Sequence, residues 1–99
     1  MKAETLPSDA RGLQLNLFVA GDSESSLAAY GNIRLALDMF KAGEFELEVI
    51  DVNTVPDRAI ADLVLITPTL LAPTCKRRLI GDLSKWSRVH QFLQSLRRP

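Results

Sequence analysis

The side chains able to do chemistry are few and scattered. One cysteine, Cys75, stands just before Lys76-Arg77-Arg78, and neighbouring cations lower a thiol's pKa and raise its reactivity. A surface thiol with no role has the same sequence signature. His90 is the one histidine and has no second ligand at metal spacing, so it reads as a helix-surface residue. Glu46 and Glu48 share one face of an alternating segment, the arrangement an acid pair would need, but without a partner they read as a solvated face. The serines at 23, 25, 26, 84 and 87 lie where helices begin, and capping explains them better than nucleophilic catalysis. No glycine-rich phosphate loop is present. Nothing assembles a catalytic constellation, and no metal or other cofactor is implied.

Composition narrows the classes further. The 99 residues suit one domain, and 12 basic against 12 acidic side chains leave no electrostatic footprint for nucleic acid or an anionic membrane. A single cysteine excludes an internal disulfide and a cysteine-built zinc site. The opening residues lack the apolar run of a signal peptide. The longest apolar stretch, from Ala59 to Ala72, is interrupted by Asp62 and Pro68 and falls short of a membrane span. The expected location is cytoplasmic.

Periodicity supplies the elements. Residues 1–12 are polar and read as a flexible N-terminal arm, with the domain over 13–99. Leu13, Leu15, Leu17 and Val19 alternate with polar residues, a first strand, and Phe18 partly buries its second face. A helix follows from about Ser25 to about Lys41 on the stripe Ala29, Tyr30, Ile33, Ala36, Leu37 and Phe40, with its opposite face solvated. Gly31 costs about 1 kcal/mol inside that helix and marks an expected close approach to the sheet. Gly43 is the expected helix stop. The second strand runs from Phe45 to Val52 and has the burial pattern of a strand near a sheet edge.

A short helix is expected from Pro56 to Leu63, capped by Asn53 or Thr54, with Asp57 complementing its positive end. Pro68 then bends the chain into a buried strand, Thr69 to Ala72. An ordinary trans bond and a cis bond are both open at Thr67-Pro68, cis being accessible at such steps for roughly 0.5–1 kcal/mol. A turn at Pro73-Thr74-Cys75 leads to a fourth strand, Lys76 to Ile80. Gly81 closes it, and Asp82 or Ser84 caps a last helix with the stripe Leu83, Trp86, Val89, Leu93 and Leu96. The order β-α-β-α-β-β-α, with a right-handed crossover and a terminal hairpin, is a thioredoxin-like α/β topology. An oxidoreductase of that fold needs a cysteine where the first strand meets the first helix. Ala20-Gly21-Asp22-Ser23-Glu24-Ser25-Ser26 provides none there.

Four motifs carry a resemblance: Leu17-Phe18-Val19-Ala20-Gly21; Val49-Ile50-Asp51-Val52 followed by Pro56; Thr67-Pro68-Thr69-Leu70; and Arg77-Arg78-Leu79-Ile80-Gly81-Asp82-Leu83-Ser84. In order and spacing they resemble the KaiB family of circadian clock proteins. The resemblance implies a non-enzymatic regulator that binds the ATPase ring KaiC, with a fold-switching habit. The alternative to the thioredoxin-like monomer is the tetrameric KaiB arrangement, β-α-β-β-α-α-β. Gly21, Pro68, Gly81 and Asp82, at strand ends and the bend, are the expected structural residues.

Three stretches depart from the clock pattern. Ala59-Ile60-Ala61-Asp62-Leu63-Val64 is apolar where clock KaiB chains are strongly charged, within the family's ring-binding region. Glu46 and Glu48 replace a small and a basic residue. The hairpin at Ala72-Pro73-Thr74-Cys75 is short. The expectation is a divergent member that keeps the thioredoxin-like form and binds a KaiC-type ATPase or a related signalling protein through Glu46, Glu48, Asp57, Arg58, Asp62 and Leu63, as a monomer or homo-oligomer. Two alternatives are a signalling or stress-response adaptor with another partner, and a redox protein acting through Cys75.

Overall fold

The computed structural model describes residues 12–81 and 83–97. The order is β1 (Leu13–Val19), α1 (Glu24–Leu37), β2 (Phe45–Asp51), α2 (Pro56–Ala61), β3 (Thr69–Ala72), β4 (Arg77–Ile80) and α3 (Trp86–Arg97). This is the expected β-α-β-α-β-β-α arrangement. The four strands form one sheet in the order β2-β1-β3-β4. β1 pairs with β2 in parallel, Leu17 opposite Val49, as the α1 crossover requires. β3 runs antiparallel to β1, Leu17 opposite Leu70, and β4 antiparallel to β3, Leu70 opposite Leu79. β2 is therefore an edge strand, as its exposure pattern predicts.

Side-chain alternation divides the core between the two sheet faces. On one face Leu15, Leu17, Val19 and Leu70 pack with Ala29, Ile33 and Ala36 of α1 and Val89, Leu93 and Leu96 of α3. On the other, Phe18, Ile50 and Leu71 form a smaller cluster covered by Ala59 of α2. Phe18 is fully buried, so β1 is buried on both faces and not partly exposed on one. α1 and α2 thus lie on opposite sides of the sheet.

Several local expectations give way to tertiary contacts. α1 ends at Leu37, and Asp38 rather than Gly43 caps it, donating its N–H to Arg34 and Ala36 carbonyls. Gly43, with φ of 83°, turns the chain toward β2 instead. Gly31 is exposed, and no described neighbour lies within 4 Å of where its Cβ would be, so it marks no approach to the sheet. The close approach belongs to Gly12: a Cβ there would meet the Glu44 carbonyl carbon and the Gly43 oxygen. Gly12 therefore packs with the domain rather than with the arm, whose residues 1–11 lie outside the described residues. α2 stops at Ala61, and its N-cap is Val55, which makes no side-chain cap bond. Thr54 Oγ1 donates backwards to the Asp51 carbonyl instead. Lys76 belongs to the β3–β4 turn and not to β4, with φ of 57°.

The structural residues fall where they are needed. Gly21 and Gly81 have φ of 58° and 94°, which a side chain would strain. The Gly21 N–H donates to Asp51 Oδ1 at 3.0 Å. The Thr67-Pro68 bond is cis, and the buried Thr69 hydroxyl donates to the Ile66 carbonyl. Asp82 lies outside the described residues. Phe92, outside the expected α3 stripe, is buried, while Trp86, within it, is partly exposed.

Candidate functional site

The junction of β1 and α1 is built for capping. The Ser23 hydroxyl accepts from the Ser26 N–H and donates to Ser26 Oγ, which in turn accepts from the Ala20 N–H. These bonds close the first turn and leave no thiol at the position where disulfide exchange would occur. Cys75 sits at the other end of β3, free and exposed in the turn to β4. His90 is half-buried, not a surface residue: its ring stacks on Trp86 with centroids 4.9 Å apart and lies 5.4 Å from Phe40. Among the described residues no group of three or more His, Cys, Asp or Glu side chains is placed to hold a metal ion. No described helix is long and apolar enough to cross a membrane.

The partner-binding residues expected from sequence divide into two groups. Glu48 and Arg58, ten positions apart, are brought together by the packing of α2 against β2. The Arg58 Nη1 and Nη2 each donate to a Glu48 carboxylate oxygen at 3.0 Å. Glu48 is therefore not simply solvated. These hydrogen bonds hold the Glu48 carboxyl below its usual range and raise the Arg58 guanidinium. Glu46 lies one pleat away on the same strand face, half-buried, and Asp57 is exposed in the first turn of α2. The charged group thus runs from the β2 edge onto the start of α2.

Asp62 and Leu63 form the second group, at the end of α2. Asp62 is the C-cap. Leu63 follows with φ of 56°, its N–H donating to the Ile60 carbonyl and that of Val64 to the Ala59 carbonyl. This is a Schellman ending, in which the left-handed position is usually glycine. Here it is leucine, at a cost of roughly 1–2 kcal/mol for the left-handed backbone. Val64 makes the accompanying apolar contact with the Ala59 cluster. The Leu63 side chain offsets none of that cost by burial, because it is 72% exposed.

Sequence reasoning missed the company Leu63 keeps. Ile60 is 71% exposed, Leu65 91% and Ile66 60%. Ile60 falls in a helix expected to run to Leu63, but α2 has only six residues and Ala59 is its one buried side chain. The signal was present in the apolar run from Ala59 to Ile66, broken only by Asp62, which exceeds what one short helix can bury. Beside these residues an open groove of about 430 Å³ is lined by Asp62, Leu63, Leu71, Pro73, Lys76 and Arg78. Arg78 forms one wall and donates to the carbonyls of Asp62 and Leu63. Contiguous apolar side chains rimmed by charge are the anatomy of a protein-contact surface.

The fold is that of thioredoxins without a cysteine at the expected reactive position, and the feature that stands out is the exposed apolar group Ile60, Leu63, Leu65 and Ile66. Thioredoxin 1 from Thermosipho africanus TCF52B superposes with a TM-score of 0.65 over 85% of this chain and 94% of its own, at 20% identity, a likeness of fold alone. The KaiB domain family model matches residues 16–95. Circadian clock oscillator protein KaiB of Prochlorococcus marinus (strain MIT 9313) is 44% identical over 77 residues, covering 76% of this chain and 65% of that protein. KaiB of Synechococcus sp. (strain RCC307) is 43% identical over 77 residues, covering 76% and 70%. The chain belongs to the KaiB family, whose characterised relatives are circadian clock proteins.

Proposed function

We propose that this protein is a non-enzymatic regulator that docks on a KaiC-type ATPase in circadian or timing control. The docking surface comprises the β2 edge and the α2 region: Glu46, Glu48, Asp57, Arg58, Asp62 and Leu63, extended by Ile60, Leu65 and Ile66. The observation that carries the reading is Leu63, a side chain held in a costly backbone conformation and projected into solvent among other exposed apolar residues. Within the described fold the left-handed backbone closes the Schellman bonds and receives Arg78, but nothing there buries the Leu63 side chain, whereas a partner would. The Glu48–Arg58 pair supplies a fixed charged border on the same surface.

Size-exclusion chromatography with light scattering, on the protein mixed with a KaiC-type ATPase and ATP, tests the proposal. Co-elution is expected, with loss of binding in Leu63→Asp and in a double variant Asp57→Lys, Arg58→Glu. Failure to co-elute refutes the KaiC reading. The second reading is an adaptor for a different signalling protein. The apolar character of Ala59–Val64, where clock relatives are expected to be charged, favours it, and affinity capture that depends on Leu63 would support it.

A further inference from the structure

The neutral total conceals a segregation of charge. Residues 73–99 hold seven of the chain's 12 basic side chains and one of its 12 acidic ones. This part contributes β4 and α3, and α3 has no acidic residue. The basic end of the molecule is also where the sheet is left open. β4 is an edge strand that, among the described residues, pairs only with β3. In an antiparallel strand alternate residues turn their N–H and C=O groups away from the neighbour, so β4 presents an outward row of donors and acceptors.

The side chains of β4 divide between the two sheet faces. Arg77 and Leu79 face α3: the Arg77 guanidinium lies 5.8 Å above the Phe92 ring, and Leu79 packs against the core on that side. Arg78 faces the other way, toward the end of α2, and the exposed Ile80 shares its side. Among the described residues no carboxylate pairs with Arg77 or Arg78. Their acceptors are the carbonyls of Ser95, Asp62 and Leu63, which leave the positive charge uncompensated. An open groove of about 310 Å³ between β4 and α3 is lined by Arg77, Leu79, Arg88, Gln91, Phe92 and Ser95.

We propose that β4 receives an extended acidic segment of a partner protein as a further, antiparallel strand, with acidic side chains opposite Arg77 and Arg78 and apolar ones opposite Leu79 and Ile80. Main-chain bonds hold such a segment, and alternate side chains select it. Read from its N-terminus, the segment has the pattern apolar-apolar-acidic-acidic. The carboxylate opposite Arg77 enters the groove beside α3, the one opposite Arg78 lies on the other face, and each cross-strand pair of opposite charge adds attraction. The row of backbone groups selects a polypeptide over a nucleic acid, whose phosphates match the arginines but not the outward carbonyls. The same arginines repel β4 of a second copy. Four residues of strand make a small contact, so the binding is weak and reversible. The β2–α2 surface takes no part in the pairing, so this inference does not depend on the KaiC reading.

NMR titration of the full chain with the end-capped peptide Thr-Val-Val-Glu-Glu-Thr tests it. Saturable shifts centred on residues 77–80 are expected, with slower amide exchange there. Arg77→Glu weakens binding about tenfold or more, and exchanging the peptide's second glutamate, the one opposite Arg77, for lysine restores it. Two further peptides, N-methylated at alternate residues, separate strand addition from charge attraction. One set of N–H groups points at β4 and the other away, so one peptide binds as the parent does and the other does not. Equal binding by both overturns the proposal, as does no binding at all or shifts centred on β2. So does tighter binding of a single-stranded oligothymidylate at the same residues, or a self-associated chain whose β4 the peptide cannot enter.

Discussion

The Arg78 guanidinium reaches from β4 over the end of α2 to Leu63: Nη1 donates to the Leu63 carbonyl at 3.1 Å, and Nη2 to the neighbouring Asp62 carbonyl at 2.8 Å. A helix C-terminus leaves its last carbonyls unpaired, and a forked cation suits two of them at once. Arg78→Ala is expected to cost about 1 kcal/mol by urea unfolding, the net worth of an exposed charge-assisted bond. Hydrogen exchange should quicken at Leu63 and Val64 and remain unchanged in β1. Unchanged exchange at Val64 would show that the Schellman bonds hold without the arginine.

Leu63→Gly separates folding from function. Glycine relieves the left-handed strain but gives the unfolded chain more freedom, so a net gain of a few tenths to about 1 kcal/mol is expected. The same change removes an exposed anchor and should weaken partner binding. A variant both less stable and fully competent in binding would contradict the proposed division of roles.

The Glu48–Arg58 pair makes a signed prediction. Hydrogen bonding by Arg58 lowers the folded-state pKa of Glu48. Its contribution to stability is therefore present above the ordinary glutamate range and is lost as pH falls through the lowered folded value. The pair is solvent-exposed, so screening keeps that contribution small. An NMR titration should find the Glu48 carboxyl titrating below an ordinary glutamate, and Arg58→Ala should return it toward the usual range. A midpoint insensitive to Arg58→Ala would mean the two-pronged contact does not persist in solution.

Thr69→Val tests the bend before β3. The Thr69 hydroxyl is buried and donates to the Ile66 carbonyl at 2.6 Å. Replacing it with a near-isosteric methyl leaves that acceptor without this donor, at a cost of about 1–3 kcal/mol. Denaturant unfolding measures the loss. A neutral result would indicate that water replaces the hydroxyl.

The form of the fold is open to a direct check. Leu93–Leu96 lie within α3, so their backbone chemical shifts should be helical. Strand-like shifts there would show that the tetrameric KaiB arrangement prevails in solution.

The elements that could be read from sequence were those in which one face is buried and the other is not. β1 and β3 were placed at their observed bounds because alternation and the Pro68 bend are local signals. The Glu48–Arg58 contact was not visible as a pair, since ten residues and the α2 docking angle separate the two side chains. Leu63 was named as a site residue, but its left-handed backbone has no sequence marker: a leucine at that position looks like one more apolar residue of a helix. Gly31 and Gly12 exchanged roles for a related reason. A glycine reports freedom of the backbone, and only the fold decides which neighbour, if any, uses it. The outer face of α1 was taken as polar because Arg34 and Asp38 were counted and the exposed Leu27 and Leu35 were not.

The two borders of the sheet carry charge of opposite sign. β2 presents Glu46 and Glu48 along one edge, and β4 presents Arg77 and Arg78 along the other. Unpaired strand edges invite further strands, and charge on them is a common deterrent. Two copies meeting edge to identical edge repel at either border. The acidic deterrent depends on ionised carboxylates, whereas the arginines keep their charge at any accessible pH. Acid conditions therefore disarm one border alone, and there the Arg58 hydrogen bonds keep Glu48 ionised below the ordinary glutamate range.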